Sequence, residues 1–439
     1  MTASPHPRHR SRFTHPTRLI ALAGAFACLL ALALCTGCSA ATSESTGSHG
    51  NPFADAINDA SSEHGDAPEA SDEQSESEPE EDPLTVRAKE IIDGMTLEQK
   101  AAQLFVVTPE AITGVDTATL ATEAMRAALE AYPVGGIVYF QKNLVNEQQT
   151  RDMLANTQTY AREVTGLPAF LCIDEEGGTV SRIGGNPGFA VSNAGNMSDV
   201  GALGDAEYAR NIAANIGSYL HDLGFNVDFA PDADIANNPA SDTMALRSFG
   251  SSADAVFPMV KAQVEGFLSS DMLCAAKHFP GIGGAEGDSH NTSIYSSKTV
   301  DEMAQEELLP FQAAMEADVP FVMVGHLSTP QATGNDLPAS VSSAIVTDVL
   351  RDRLGYDGIV ITDSLAMGAV CELYAPYEIG VAALEAGVDM VLIPADFPAA
   401  YQGVLDAVAS GRLSEERIDS SLERIVRTKL AWDDGSLGA

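Results

Sequence analysis

Eight short apolar segments recur along the chain, the first beginning at Leu104 and the last ending at Ile393. Each is four to six residues long and apolar at nearly every position. Runs of this kind suit parallel strands that are covered on both faces, whereas half-exposed antiparallel strands alternate polar and apolar positions. The predicted strands are Leu104–Val107, Gly136–Phe140, Ala169–Ile173, Asn226–Ala230, Leu273–His278, Pro320–Val324, Gly358–Thr362 and Asp389–Ile393.

Stretches with helical periodicity lie between these segments, and Thr96 has the residue type and position of a helix N-cap. Eight βα units over residues 85–435 predict a (β/α)8 barrel that forms a single domain. Periodicity by itself leaves a doubly wound open sheet as the other arrangement. The predicted helices are Ala118–Glu130, Gln148–Val164, Ala206–Leu223, Ala253–Leu268, Ser342–Leu354 and Tyr377–Ala386.

Polar residues follow five of the predicted strands at the point where each strand ends. In a barrel the carboxyl ends of all strands meet on one face, where active sites are built, so this pattern favours the barrel. Each residue taken separately is also compatible with an ordinary turn. The residues are Asp174 after strand three, Asp232 after strand four, Lys277 and His278 at the end of strand five, His326 after strand six and Asp363 after strand seven.

The first forty residues have a pattern of their own. Residues 1–18 carry four arginines and no acidic residue, and an unbroken apolar run follows from Leu19 to Leu34. This run is short for a membrane-spanning helix, which needs about 20 residues, and the order basic, apolar, small is typical of a secretory signal. Cys38, preceded by Gly37, resembles the lipid-accepting cysteine of bacterial lipoproteins. We therefore expect a lipoprotein signal peptide over residues 1–37, lipidation of Cys38 and an extracytoplasmic, membrane-anchored protein. An ordinary cleaved signal and an uncleaved anchor are the other interpretations.

Acidic residues are in large excess, since 62 Asp and Glu against 24 Lys and Arg give a formal net charge of −38. Residues 41–82 hold 13 of the acids and no Lys or Arg, so we expect residues 38–84 to form a disordered acidic tether. The larger part of the negative charge nevertheless falls on the predicted barrel. This balance argues against a nucleic-acid partner, which requires a basic face, and against any membrane contact other than the lipid anchor.

Three cysteines fall within the predicted barrel, at Cys172, Cys274 and Cys371. They are odd in number and far apart in sequence, and two lie within apolar runs, so we expect buried free thiols. Their spacing indicates neither a disulfide framework nor a zinc site.

The segment from Lys277 to His290 carries the sharpest motif. It reads Lys-His-Phe-Pro-Gly, then Ile282, Gly283, four further residues and Asp288-Ser289-His290. This segment resembles the signature of the β-N-acetylglucosaminidase branch of glycoside hydrolase family 3. The match holds at every fixed position, and Ile282 occupies the variable one.

Further segments resemble the same family in the expected order. Asp174–Arg182 resembles its substrate loop and Gly358–Met367 its nucleophile strand, and the segments around Phe225–Pro231 and Arg247–Gly250 are also similar. The resemblance runs from about Ile91 to Lys429. It implies a (β/α)8 catalytic domain over residues 85–435.

Hydrolysis of a glycoside with retention requires a carboxylate nucleophile and a group that first donates and then accepts a proton. The resemblance and the strand-end position make Asp363 the nucleophile; the other interpretation is a helix N-cap. After the eighth strand the remaining chain suffices only for closing helices, so we expect the proton group from a barrel loop. An unperturbed histidine side chain titrates near neutral pH, which suits His290 to both roles, and Asp288 can orient it. Half of a metal site and an ordinary exposed polar pair are the other interpretations, but no third metal ligand lies at useful spacing.

The remaining polar residues of these motifs are candidates for binding sugar hydroxyls. They are Asp174, Arg182, Arg247, Lys277 and His278. A structural ion pair at the barrel mouth is compatible with the first two, and His278 is alternatively a satisfied core histidine. We expect His326 at the pocket rim without assigning it a catalytic step.

The sequence as a whole thus predicts a retaining exo-acting β-N-acetylhexosaminidase that removes terminal β-linked N-acetylglucosamine from glycans or peptidoglycan fragments. We expect a monomer that needs neither a cofactor nor a metal and binds carbohydrate only. A β-N-acetylglucosaminide phosphorylase and a β-glucosidase-type member of the family are the alternatives. A carbohydrate-binding lipoprotein with an inactive barrel is disfavoured because Asp363, Asp288 and His290 are all present.

Overall fold

The computed structural model describes residues 81–239, 244–285 and 293–436. Eight parallel strands in these residues form one sheet, which we number β1 to β8 in chain order. The sheet order is β8-β1-β2-β3-β4-β5-β6-β7. The strands are β1 Phe105–Val107, β2 Gly136–Val138, β3 Phe170–Ile173, β4 Val227–Asp228, β5 Leu273–Phe279, β6 Phe321–Val324, β7 Ile359–Thr362 and β8 Val391–Leu392.

Parallel pairing closes this sheet into a barrel. Phe105 of β1 lies opposite Val391 of β8, and an isolated parallel bridge between Ile361 and Met390 joins the last two strands. All eight strands overlap the predicted segments, and the prediction of a (β/α)8 barrel is confirmed. The open doubly wound sheet is excluded, because an open sheet has two unpaired edge strands, whereas β1 pairs with β8 here.

Helices surround the barrel and connect successive strands. Two precede β1, and Thr96 caps the second in a capping box with Gln99, as the sequence predicts. The helix after β6 has π-type hydrogen bonding. The larger helices are Pro83–Asp93, Leu97–Gln103, Glu123–Ala131, Glu147–Thr165, Met197–Leu203, Ala206–Leu223, Ala253–Leu268, Leu309–Met315, Ala344–Arg353, Pro376–Glu385, Phe397–Ala409 and Glu415–Asp434.

Shorter elements decorate the loops. They include the helices Pro109–Thr113, Val300–Met303, Pro330–Thr333 and Gly368–Cys371, the 3-10 turns Gln141–Asn143 and Ala339–Val341, and a small parallel ladder of Ile294–Tyr295 with Leu327–Ser328. Across the described ranges, helices long and apolar enough to cross a membrane are absent.

Side chains fill the barrel interior, so it is a core and not a pore. Phe170 of β3 meets Phe321 of β6 edge to face, with ring centroids 5.2 Å apart. Cys172 and Cys274 are buried free thiols and Cys371 is a partly buried one, in agreement with the sequence analysis. A packed interior leaves the strand ends as the place where polar groups can gather.

Candidate active site

A cavity of about 400 Å³ opens at the carboxyl ends of the strands. Its lining contains apolar side chains, among them Val138, Phe140 and Ile393, and a group of ionisable side chains that we call the polar wall. The ionisable side chains are Asp174, Glu176, Arg182, Arg247, Lys277, His278 and Asp363. Six of these seven are predicted site residues, and only Glu176 was not assigned a place from the sequence. A second cavity of about 440 Å³ lies at the other end of the barrel, beside Pro320 and Gly358 that precede β6 and β7. It contains none of the predicted residues.

A bulge in β5 explains how two neighbouring residues reach one cavity. Lys277 lies opposite Met323 of β6 and Phe279 lies opposite Val324, so His278 is the extra residue in the ladder. Successive side chains of a regular strand point to opposite faces, and a bulge breaks that alternation. Lys277 and His278 therefore both line the cavity.

An ion-pair network ties the polar wall together. Lys277 Nζ lies 2.8 Å from Asp174 and 2.6 Å from Glu176, while Arg247 holds both oxygens of Glu176 at 2.8 and 2.7 Å. Burial by itself raises the pKa of Glu176, but the charges of Arg247 and Lys277 outweigh it and lower that pKa below its ordinary value. Glu176 thus remains an anion that fixes both cations in place.

Glu175 points away from the cavity and organises the loop after β3. Its carboxylate accepts hydrogen bonds from the backbone N–H groups of Arg182, Ile183 and Gly184 and from the hydroxyls of Ser181 and Tyr219. The folded loop brings Arg182 within 3.8 Å of Asp174. The structural ion pair considered from sequence is therefore present at the cavity mouth.

Asp363 follows β7, and its backbone N–H donates to the carbonyl of Val324 on β6. Its Oδ1 accepts from the adjacent N–H of Ser364 at 2.7 Å. The next helix begins only at Gly368 and has Met367 in the cap position, so the N-cap interpretation of Asp363 is wrong. Burial raises the pKa of Asp363. The charges of His326 and His278 when protonated, the N–H of Ser364 and the charge of Lys277 lower it by more, so the net shift is downward. The carboxyl is therefore ionised at neutral pH.

His326 lies behind this backbone and is buried. Its Nε2 is 2.9 Å from the carbonyl oxygen of Ser364, and its Nδ1 is 2.8 Å from Ser340 Oγ. Because a carbonyl only accepts, Nε2 carries a proton. His326 supports the chain beside Asp363 and is not among the residues that line the cavity, so its expected place at the rim is wrong.

His278 is buried, with Nδ1 2.7 Å from Asp234 Oδ2, and it lines the cavity as well. Burial and Arg247 lower its pKa, but the hydrogen bond and charge of Asp234 raise it above the ordinary value. Asp232, Asp234 and His278 have potential metal-ligating atoms within 4.8 Å of one another. A guanidinium already supplies positive charge there, because Arg247 lies 3.4 Å from both Asp232 and His278 Nε2.

Three predicted residues lie outside the described ranges. They are Asp288 and His290, which fall within residues 286–292, and Cys38. These are the positions of the predicted acid/base pair and of the predicted lipidation site. Sequence reasoning missed Glu175, Glu176 and Asp234 as organising residues; the first two follow Asp174 directly in the substrate-loop motif.

A (β/α)8 barrel with an ionised carboxylate at a strand end, set among side chains suited to hydroxyl groups, defines the class of barrel glycosidases. Residues 96–428 match the model of the glycosyl hydrolase family 3 N terminal domain. The chain therefore belongs to this family.

Named relatives agree with this membership. The chain is 34% identical to beta-hexosaminidase A of Pseudoalteromonas piscicida over 70% of its own length and 56% of that protein. It is 31% identical to beta-hexosaminidase LpqI of Mycobacterium tuberculosis over 75% of its own length and 82% of that protein. It superposes on a family 3 β-N-acetylglucosaminidase from Paenibacillus sp. with a TM-score of 0.71 and 37% identity, covering 77% of this chain and 63% of that one. The chain thus spans little more than half of the first relative.

Proposed function

We propose that the protein is a retaining, exo-acting β-N-acetylhexosaminidase that removes terminal β-linked N-acetylglucosamine from glycans or peptidoglycan fragments. The observation that carries the proposal is the ionised carboxylate of Asp363 in a strand-end cavity whose other polar side chains are held in fixed ion pairs. The relatives named beta-hexosaminidase support the same substrate class.

In the first step, a carboxylate oxygen of Asp363 attacks the anomeric carbon. The bond to the leaving oxygen breaks as His290 donates its proton to that oxygen, which leaves a glycosyl ester on Asp363. In the second step water attacks the same carbon, His290 accepts the proton of that water, and the ester bond breaks. Asp288 orients the imidazole and stabilises its charged form.

The polar wall binds the sugar ring. Asp174 accepts hydrogen bonds from hydroxyls, Arg182 and Lys277 donate them, and His278 and Arg247 complete the set. Since Glu176 and Asp174 already hold the cations, little side-chain ordering remains to be done when the sugar binds, and preorganisation of this kind favours affinity.

The test compares Asp363→Gly and His290→Ala with the parent enzyme on an aryl β-N-acetylglucosaminide. We expect both variants to lose at least about 100-fold in kcat, because each removes a group that acts in bond breaking. A 2-fluoro sugar with a good leaving group should trap a covalent adduct on the peptide containing Asp363. Full activity in either variant, or an adduct on another residue, contradicts the assignment.

Two assays separate this proposal from its alternatives. Aryl N-acetylglucosaminide and aryl glucoside are compared side by side, and we expect the former to be preferred. Phosphate buffer is then compared with a phosphate-free buffer. Appearance of sugar 1-phosphate would identify a phosphorylase, since a neutral His290 does not repel phosphate as a carboxylate would.

We also propose that the enzyme is exported and anchored through lipid on Cys38, with residues 38–84 as the tether and the barrel monomeric. The basic, apolar and small-residue order of residues 1–38 supports this. Cells fed a labelled fatty acid should label the protein, and Cys38→Ala should abolish the label and release the enzyme from the membrane fraction. Label retained in the variant argues against the site.

A further inference from the structure

Asp234 is fully buried, follows β4 and is in contact with two parts of the site at once. Its Oδ2 lies 2.7 Å from His278 Nδ1, and its Oδ1 accepts from the backbone N–H of Ile282 at 2.5 Å. Its own N–H donates to Asp232, and its carbonyl accepts from Ser248. The backbone of Asp234 is therefore fixed through both its N–H and its carbonyl group, and the carboxylate has little freedom to rotate.

The surroundings of His278 select one tautomer. An ionised Asp234 only accepts, so Nδ1 carries the proton. Arg247 Nη2 lies 3.4 Å from Nε2, and a guanidinium only donates, so Nε2 presents a lone pair. When His278 is neutral, two independent neighbours thus favour the same tautomer, with the proton on Nδ1. Because His278 lines the cavity and Nε2 is its single acceptor in this form, a sugar hydroxyl that donates to Nε2 would displace or share the contact with Arg247.

The other oxygen of Asp234 holds the loop that leaves β5. Beyond the bond to Ile282, Gly283 lies directly against the carbonyl of Ile235, where a Cβ atom on the glycine would come within 2.1 Å. Ile282 and Ala285 pack in a small apolar cluster with Ile294 and others. The loop after β5 therefore packs against Asp234 and Ile235.

We propose that Asp234 is a positioning residue that, with one carboxylate, fixes both the Nδ1–H tautomer of His278 and the backbone of the β5 loop. The inference rests on the proposed function, in which His278 contacts the sugar and the loop leads to Asp288 and His290. Asp234 would thus couple the sugar contact of His278 to the position of the β5 loop, although Asp234 itself does not line the cavity.

Replacement of Asp234 by Asn tests the coupling because the amide has the same shape but one donor end. If the amide oxygen keeps Ile282, the NH2 group faces His278 Nδ1, forces the Nε2–H tautomer and aims a proton at Arg247. If the oxygen keeps His278, the NH2 group faces the N–H of Ile282 and the loop loses its bond. Either arrangement breaks one of the two contacts.

The first measurement is the tautomer, which is independent of activity. Protein labelled with 15N-histidine is examined by two-dimensional NMR, and the His278 signals are assigned by their loss in His278→Gln. We expect Nδ1–H in the parent protein and a shift away from it in Asp234→Asn. An Nε2–H form of His278 in the parent overturns the proposal, even if the variant fails to fold.

The second measurement is kinetic. We expect Asp234→Asn to lower kcat/KM on the aryl β-N-acetylglucosaminide by roughly 10- to 100-fold, the range for a lost hydrogen bond to a charged group. Its cost should be smaller in a His278→Gln background, because residues that act together are not additive. Asp301→Asn, the same change on a side chain 82% exposed, is the matched control and should stay within twofold.

The outcomes separate the two claims. An unchanged kcat/KM in a folded Asp234→Asn protein, or equal costs in both backgrounds, overturns the positioning role while the proposed function stands. A parent enzyme with no activity on aryl glycosides, but with the Nδ1–H tautomer that disappears in the variant, refutes the function and leaves the structural coupling.

Discussion

Glu175→Gln is the most informative change to the loop that carries two of the sugar-binding candidates. Glu175 is fully buried, and salt-bridge partners for it are absent within the described ranges. Its charge is instead met by three backbone N–H groups and two hydroxyls, at 2.5 to 2.9 Å. An acceptor-only carboxylate matches that set of donors, whereas an amide brings a second donor into it.

The magnitude follows from the geometry. Oε2 accepts from the N–H groups of Arg182 and Ile183, and Oε1 accepts from Gly184, Ser181 and Tyr219. If Oε2 becomes NH2, both of its backbone bonds are lost; if Oε1 becomes NH2, the bond from Gly184 is lost, while the hydroxyls of Ser181 and Tyr219 can turn to accept. At least one hydrogen bond to a charged group is therefore lost, and each is worth about 1.5–3 kcal/mol, so we expect the free energy of unfolding to fall by at least about 1.5–3 kcal/mol.

The assay combines urea unfolding with steady-state kinetics. Because Asp174 and Arg182 lie on the loop that Glu175 holds, KM should rise about tenfold or more in the folded variant, with a smaller effect on kcat. Tyr219→Phe is the control, since it removes a single donor and leaves the backbone bonds; we expect a loss of about 1 kcal/mol and an unchanged KM. Unfolding within 1 kcal/mol of the parent together with an unaltered KM in Glu175→Gln would refute this account of the loop.

Three further predictions concern other parts of the barrel. Burial of Lys429 lowers its pKa from 10.5 to about 7. Between pH 7 and 10.5 the side chain is therefore protonated in the unfolded chain but neutral in the folded protein. Because the unfolded state binds more protons, the free energy of unfolding should rise with pH across this range. Lys429→Met should flatten this pH dependence, as measured by urea titration at several pH values, and it also removes the hydrogen bond that Lys429 Nζ donates to buried Gln103. Gly283→Ala should lower both activity and melting temperature, because the added Cβ would lie 2.1 Å from the backbone oxygen of Ile235. In the control Gly284→Ala the added Cβ meets only the end of a flexible side chain, so its effect should be smaller. Equal effects of the two variants would contradict this explanation. Arg247→Lys keeps the charge but loses the two-pronged carboxylate contact, so KM should rise about tenfold, and a change below twofold would argue against a role in sugar binding.

The sequence by itself determined the order and type of the elements. Continuous apolar runs can only be buried on both faces, and eight of them separated by helices have few arrangements other than a barrel. The strand-end rule then brought Asp174, Lys277 and Asp363 to one face, and the structure places all three in one cavity.

Only the tertiary structure decided which polar groups pair with which. Glu176 is 71 residues from Arg247, and Lys277 is 103 residues from Asp174, so neither pair is visible in local patterns. The bulge that turns both Lys277 and His278 into the cavity depends on the register between β5 and β6. Asp234 was not identified from the sequence for the same reason. Its importance comes from the atoms that barrel closure brings against its two oxygens, and contacts of that range form only when the whole chain has folded.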